Sequence, residues 1–231
     1  MWPFSRKIKL ELPDFWWEYE AHFKKKLPEV IHENTFVVLD TETTGFSMTK
    51  DRMLCIGALK LHDNNIVVKD SFEAYIQQEH YDSESAEIHG ILKKSKRDSM
   101  SELDALKQFL VYAKNHILVG HHVMFDINMI NAALKRNGLP KLKNKTLDTE
   151  SLYVRTLLIS TVVQRKERYS LDDLAKKFSI SCKDRHTALG DAFITAIALL
   201  RIIEKLKPNK FLSAKLNMAL CIGPFVLAPK K

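Results

Sequence analysis

Asp40 and Glu42 stand two residues apart at the end of the apolar run Val37, Val38, Leu39. Residues i and i+2 of an extended chain point to one face, so both carboxylates emerge together at the carboxyl end of a buried strand. Open α/β sheets place their ligands at that end. Like charges so close repel, and one keeps its proton unless a cation lies between them. A donor set of oxygens alone favours hard divalent ions, Mg2+ or Mn2+, over Zn2+ or Cu2+. A solvated strand end can carry the same pair, so a metal site needs more acids than these two.

Two further acids qualify. Asp191 interrupts the apolar run ALGDAFITAIALL, where an unpaired carboxylate would cost several kcal/mol. Its expected partner is Arg185 or a metal. Asp126 follows GHHVMF and opens INMINAALKRNG; it reads either as a helix N-cap or as a ligand. His186 precedes Asp191 by five residues, near the start of the same helix. It is either a polar surface residue or a general base, for which an imidazole suits near-neutral pH.

A strand and two helices must bring these groups together. Thr35–Asp40 (TFVVLD) reads as a buried strand ending in an acid. Arg52–Leu61 and Ile66–Ile76 read as two more, joined through the turn residues His62, Asp63, Asn64 and Asn65. Ser101–Asn115 carries Leu103, Leu106, Phe109, Leu110 and Ala113 at helical spacing, with Ser101 as N-cap. Ile117–Gly120 is a short buried strand, and Asp126–Asn137 a helix closed by Gly138 and Pro140. Thr146–Asp148 adds a strand; Leu171–Phe178 and Thr187–Lys205 add helices. The order predicts an α/β fold. Its mixed central sheet has a three-strand antiparallel part followed by parallel strands, flanked by helices.

Six of the seven prolines lie outside residues 33–207. That span is therefore read as one domain, with an aromatic-rich extension over 1–32 and a basic tail over 208–231. In the extension, Leu12, Phe15, Tyr19 and Phe23 recur at helical spacing, so this helix either packs on the domain or docks a partner. The 231 residues are 45% hydrophobic and 28% charged, which excludes a disordered or fibrous chain. Three unpatterned cysteines exclude a disulfide scaffold and a cysteine zinc site, and fit a reducing cytoplasm. No signal peptide is expected. The longest apolar stretches, Ala192–Leu200 and Leu216–Ala228, are too short to cross about 30 Å of hydrocarbon. Lys and Arg outnumber Asp and Glu by 36 to 28, for a net +8. Such an excess suits a polyanionic partner. Two basic runs, one at Lys93, Lys94, Lys96 and Arg97 and one at Lys135, Arg136, Lys141, Lys143 and Lys145, either track a phosphate backbone or are solvated faces.

The string DTETTG (Asp40–Gly45), at about 5% per residue, would arise by chance in such a chain on the order of a few times in a million. With HHVMFD (His121–Asp126) and HTALGD (His186–Asp191), it resembles the three motifs of the DEDD exonucleases. The His five residues before the last Asp resembles the DEDDh branch, which includes the proofreading epsilon subunit of bacterial DNA polymerase III, ribonuclease T and the mammalian three-prime repair exonucleases. RMLCIGAL (Arg52–Leu59), IHGI (Ile88–Ile91) and YSLDDLAKKF (Tyr169–Phe178) are similar to secondary elements of the same family. The similarity covers Thr35 to Leu200 and is strongest to the epsilon type.

This resemblance implies a ribonuclease H-like fold and hydrolysis of phosphodiester bonds from a 3′ end, releasing nucleoside 5′-monophosphates. It implies two ions, Mg2+ or Mn2+. Asp40 would bridge both, Glu42 and Asp191 would bind the ion carrying the nucleophilic water, and Asp126 would support the second. His186 would take the water's proton. Thr43, Phe46, His89 and Phe125 match positions that line the terminal-nucleotide pocket. The implied partner is a single-stranded 3′ end, of DNA in preference to RNA, with any polymerase supplied in trans and docked through the aromatic N-terminal helix. An exoribonuclease is the second reading. A non-catalytic binding module is the third, and it has no reason to concentrate uncompensated carboxylates in a basic surface. His122 departs from the family, whose second motif carries Asn there; neither His121 nor His122 is assigned to metal.

Overall fold

The apolar run ending in Asp40 forms the central strand β1, Phe36–Thr43, in a computed structural model that describes residues 11–30, 33–78, 98–158 and 168–206. The strand continues three residues beyond the expected Thr35–Asp40, because its ladder with β2 (Met53–His62) does not stop at the last apolar side chain. Asp40 faces Gly57, Thr41 faces Ile56 and Glu42 faces Cys55 before a bulge between Glu42 and Thr43 interrupts the register. Both carboxylates are thus held in paired backbone, and the bulge re-aims the chain just after them.

β2 returns antiparallel into β3 (Asn65–Ile76). Asp63 and Asn64 make the turn with φ of 47° and 60°, the two left-handed residues that a tight hairpin needs. A two-residue strand, β4 (Ser99–Met100), runs parallel beside the end of β3; it is too short for any hydrophobic pattern to announce. β5 (Ile117–Gly120) and β6 (Thr146–Asp148) continue the sheet in parallel on the other side of β1. The sheet order is β4-β3-β2-β1-β5-β6, so the expected mixed sheet is present. β1 is its switch point, with an antiparallel neighbour on one side and a parallel one on the other.

Among the described residues, the two faces are covered by the α-helices α1 (Asp14–Ala21), α2 (Glu102–Ala113), α3 (Met124–Arg136), α4 (Thr149–Leu158), α5 (Leu171–Phe178) and α6 (Ala188–Leu206). Ser101 caps α2 by accepting from the Asp104 amide at 3.1 Å, and Ser170 with Asp173 forms a reciprocal capping box on α5. Leu103, expected on the apolar side of α2, is exposed. It lies about a quarter-turn off the stripe of Ala105, Leu106, Phe109, Leu110 and Ala113. α3 starts two residues before the expected Asp126. α4 was not anticipated; it follows β6 without a break, and Thr-Glu-Ser at its start hides the apolar side carried by Leu152, Tyr153 and Leu157.

The alternation of β1 decides which helices see which side chains. Val37 and Leu39 join the core made with α1, α2 and α3, whereas Phe36 and Val38 join the core made with α4, α5 and α6. Helix α1 belongs to the first of these. Trp16 and Tyr19 are buried in it, and the Tyr19 hydroxyl donates to Asn144 Oδ1 at 2.5 Å and accepts from the Lys143 amide at 2.9 Å. Trp17 remains half exposed. Among the described residues no helix is long and apolar enough to cross a membrane.

Candidate active site

The period-two alternation puts Asp40 and Glu42 on the α6 face of β1, and the first turn of α6 brings Asp191 over them. Carboxylate oxygens of these three residues lie within 4.8 Å of one another. Gly57, opposite Asp40, makes this approach possible. A Cβ there would sit 2.3 Å from the Ala188 carbonyl carbon and the Leu189 amide nitrogen, so any side chain would hold α6 off the sheet.

Asp126 arrives from the other face. It is the third residue of α3, whose N-cap Val123 makes no side-chain bond, so the capping role considered for Asp126 is not the one it plays. Its carboxylate is 3% exposed and turns toward the end of β1. There Oδ1 accepts the Thr41 amide at 2.9 Å and the Thr41 hydroxyl at 2.7 Å. Thr41 escaped notice as a functional residue, although its place between Asp40 and Glu42 puts it on the opposite face by the same alternation.

Charge crowding shows in the acidities. Burial raises Asp40 well above the usual carboxylate range, and Asp126, Asp191 and Glu42 add to it, with the Arg185 guanidinium pulling the other way. Glu42 is pushed up to about 7 by burial and then by Asp191. Burial also raises Asp126 to about 7, against the two bonds from Thr41. Asp191 is raised by burial and held back by Arg185. A divalent cation would relieve this repulsion, and oxygen donors alone suit a hard one. The donor set therefore fits a magnesium-like ion.

His186 opens the approach to α6 with φ of 66°; its ring is exposed and its backbone N–H donates to Asp191 Oδ1 at 3.3 Å. His121 and His122, of the second motif, are elsewhere. His121 donates from Nε2 to the Tyr169 carbonyl at 2.9 Å, with Nδ1 3.0 Å from the Thr149 hydroxyl. A carbonyl can only accept, which fixes the proton on Nε2, and burial drives this imidazole down to about 4. His122 takes the left-handed φ of 57° and pairs with Glu150 at 3.0 Å. Neither belongs to the acid cluster. His, like Asn and Asp, adopts such a positive φ more readily than most non-glycine residues.

After β1, Asp51 folds the loop upon itself: Oδ1 accepts the Thr44 hydroxyl at 3.0 Å and Oδ2 the Ser47 amide at 2.8 Å. Thr43 donates its hydroxyl hydrogen to the Gly45 carbonyl at 2.8 Å. The loop holds Phe46 out at 88% exposure, its ring 5.8 Å from that of Phe125. His89 and the basic run at Lys93, Lys94, Lys96 and Arg97 lie outside the described residues. In the second basic run, Arg136 is paired with Glu102 and Lys143 with Glu20, so two of its charges are spent within the fold.

The exonuclease family of ribonuclease T type matches residues 37–199. The chain belongs to that exonuclease family. The PolC-type DNA polymerase III of Thermotoga petrophila is 34% identical over 174 residues, covering 75% of this chain and 12% of the relative. That of Streptococcus pyogenes serotype M2 is 34% identical over 166 residues, covering 71% and 11%. The chain thus spans about an eighth of the length of the PolC-type polymerases it matches. Among solved structures, E. coli Exonuclease I in complex with a dT13 oligonucleotide aligns with a TM-score of 0.64 at 18% identity, over 76% of this chain and 42% of that one. Cell-death related nuclease 4 aligns with a TM-score of 0.65 at 13% identity, over 75% and 64%. These share the fold, which is ribonuclease H-like; in this chain Asp40 and Glu42 lie at the carboxyl end of β1, Asp126 on α3 and Asp191 on α6.

Proposed function

We propose that this exonuclease hydrolyses phosphodiester bonds from the 3′ end of single-stranded nucleic acid, DNA in preference to RNA, releasing nucleoside 5′-monophosphates. The meeting of Asp40, Glu42 and Asp191 within 4.8 Å carries the reading. Two ions, Mg2+ or Mn2+, when bound would lower the pKa of a water and stabilise charge on the leaving 3′ oxygen. Asp40 would serve both, a role supported by its crowding by Asp126, Asp191 and Glu42. Asp126, whose Oδ1 is committed to Thr41, would help to hold the second ion. His186, exposed at the entry to α6, would act as the base that accepts a proton from the attacking water. Phe46 and Phe125 offer a pair of rings to the terminal base, and Thr43 is proposed to join them; His89 is added by the sequence resemblance alone. A polymerase is the proposed protein partner because the named relatives are DNA polymerases; Trp17, half exposed on α1, is one aromatic side chain available to dock it.

The test is the order of products. A DNA strand labelled at its 5′ end should give a ladder shortening from full length in Mg2+, and nothing in excess chelator. Immediate release of labelled mononucleotide would mean attack from the 5′ end, and faster loss of a matched RNA would make the enzyme an exoribonuclease.

A further inference from the structure

Both oxygens of Asp191 are already engaged. Oδ1 accepts the backbone N–H of His186 at 3.3 Å, and Oδ2 is gripped by Nη1 of Arg185. The other edge of the same guanidinium is held outside the cluster by Asp172 in the first turn of α5: Nε donates to Oδ1 at 2.7 Å and Nη2 to Oδ2 at 3.4 Å. Asp191 is almost fully buried, whereas the Asp172 side chain is mostly exposed. Arg185 therefore spans from solvent into the acid cluster, and Asp40 and Glu42 feel its charge as well.

We infer that Arg185 is a tethered counter-ion, neutralising Asp191 while no metal is bound and yielding to the incoming divalent ion without leaving Asp172. The inference rests on the reading that Asp40, Glu42 and Asp191 hold the metal. A guanidinium fixed on Oδ2 would confront a doubly charged ion on the same carboxylate, and their repulsion in a half-buried site is not screened away. The fork geometry of arginine allows one edge to be surrendered while the other stays bonded. Three hydrogen bonds hold the group, and only the one to Asp191 needs to break. Asp172 keeps the displaced charge close, so it returns when the metal leaves. Arg185 acts through Asp191 and is a positioning residue.

The sign of one measurement separates this from a plain brace. Mn2+ binding to the full chain, followed by calorimetry, should be about three- to tenfold tighter in Arg185→Gln than in wild type, because a competing cation is gone. In chelator the same variant should melt at a lower temperature than wild type, and saturating Mn2+ should close the gap. Arg185→Lys keeps the charge but not the fork, so its affinity should fall between the two. Equal or weaker Mn2+ binding by Arg185→Gln overturns the inference and makes Arg185 a support for Asp191. If that variant does not fold, Arg185→Lys decides: tighter binding than wild type supports displacement, and equal or weaker binding refutes it. Wild-type protein that binds no Mn2+ would overturn the metal reading itself, which is a different failure.

Discussion

The two faces of β1 tolerate negative charge in opposite ways. On the α3 face, Asp126 is sunk at the end of the strand and both donors of Thr41 converge on one of its oxygens. On the α6 face, Asp40, Glu42 and Asp191 crowd together, with a single guanidinium reaching in at Asp191. The first arrangement satisfies a buried carboxylate as protein interiors usually do, by hydrogen bonds. The second leaves more negative charge than the fold itself neutralises. The difference is one of how much charge the fold meets by itself: Asp126 has one oxygen satisfied by Thr41, whereas Asp40, Glu42 and Asp191 share a face with more negative charge than their neighbours offset.

The largest effect should come from the residue crowded from both faces. Asp40→Ala should lower hydrolysis by several orders of magnitude, since a ligand shared by two ions is lost, and chelator-treated wild type should be equally inactive until Mg2+ or Mn2+ is restored. Activity of the variant near wild type would show that the surplus charge is not the catalytic feature. Next, His186→Ala should slow hydrolysis by about 10²–10⁴-fold, with Mg2+ binding by calorimetry almost unchanged. That defect should shrink as pH rises, because hydroxide replaces the help the imidazole gave. Wild-type rates at neutral pH would remove His186 as the base.

The smallest effect concerns stability without metal. Glu42 lies near 4.5 when free of the fold and at about 7 within it, so folding favours its protonated form. Its contribution is fully present below about 4.5 and is lost as pH rises through about 7. Melting in chelator should therefore fall by about a few degrees over that window. Glu42→Gln should flatten the curve, and Mg2+ should reverse its slope, because the metal selects the ionised carboxylates. A wild-type melting temperature that climbs through the same window in chelator would show that the α6 face is not under charge strain.

The acids were legible because their spacing is covalent. Asp40 and Glu42 share a face in any extended chain, and Asp191 inside an apolar helix announces itself by the cost of burying it. The strands were legible where apolar runs were long and the turn chemistry explicit, as at Asp63 and Asn64. Polar beginnings concealed the rest. α4 starts with Thr-Glu-Ser, α3 starts on Met124 rather than on the Asp that looks like a cap, and the end of β1 is polar where its function lies. Arg185 was visible as one of two possible partners for Asp191; its second partner Asp172 was not, since the two sit thirteen residues apart on different elements.

Local sequence, then, determined the residue types, the face on which each acid of β1 projects, the class of sheet and the family motifs. These follow from backbone periodicity, hydrophobic spacing and the chemistry of individual side chains, all of which act over a few residues. Tertiary structure alone decided that Asp191 meets Asp40 and Glu42 while Asp126 is met by Thr41, that Gly57 lets α6 close on the sheet, and that Trp16 and Tyr19 of α1 are core. Such contacts join positions far apart in the chain, and their distances are set by how helices of particular bulk pack on a twisted sheet, a sum over many side chains that no short stretch contains.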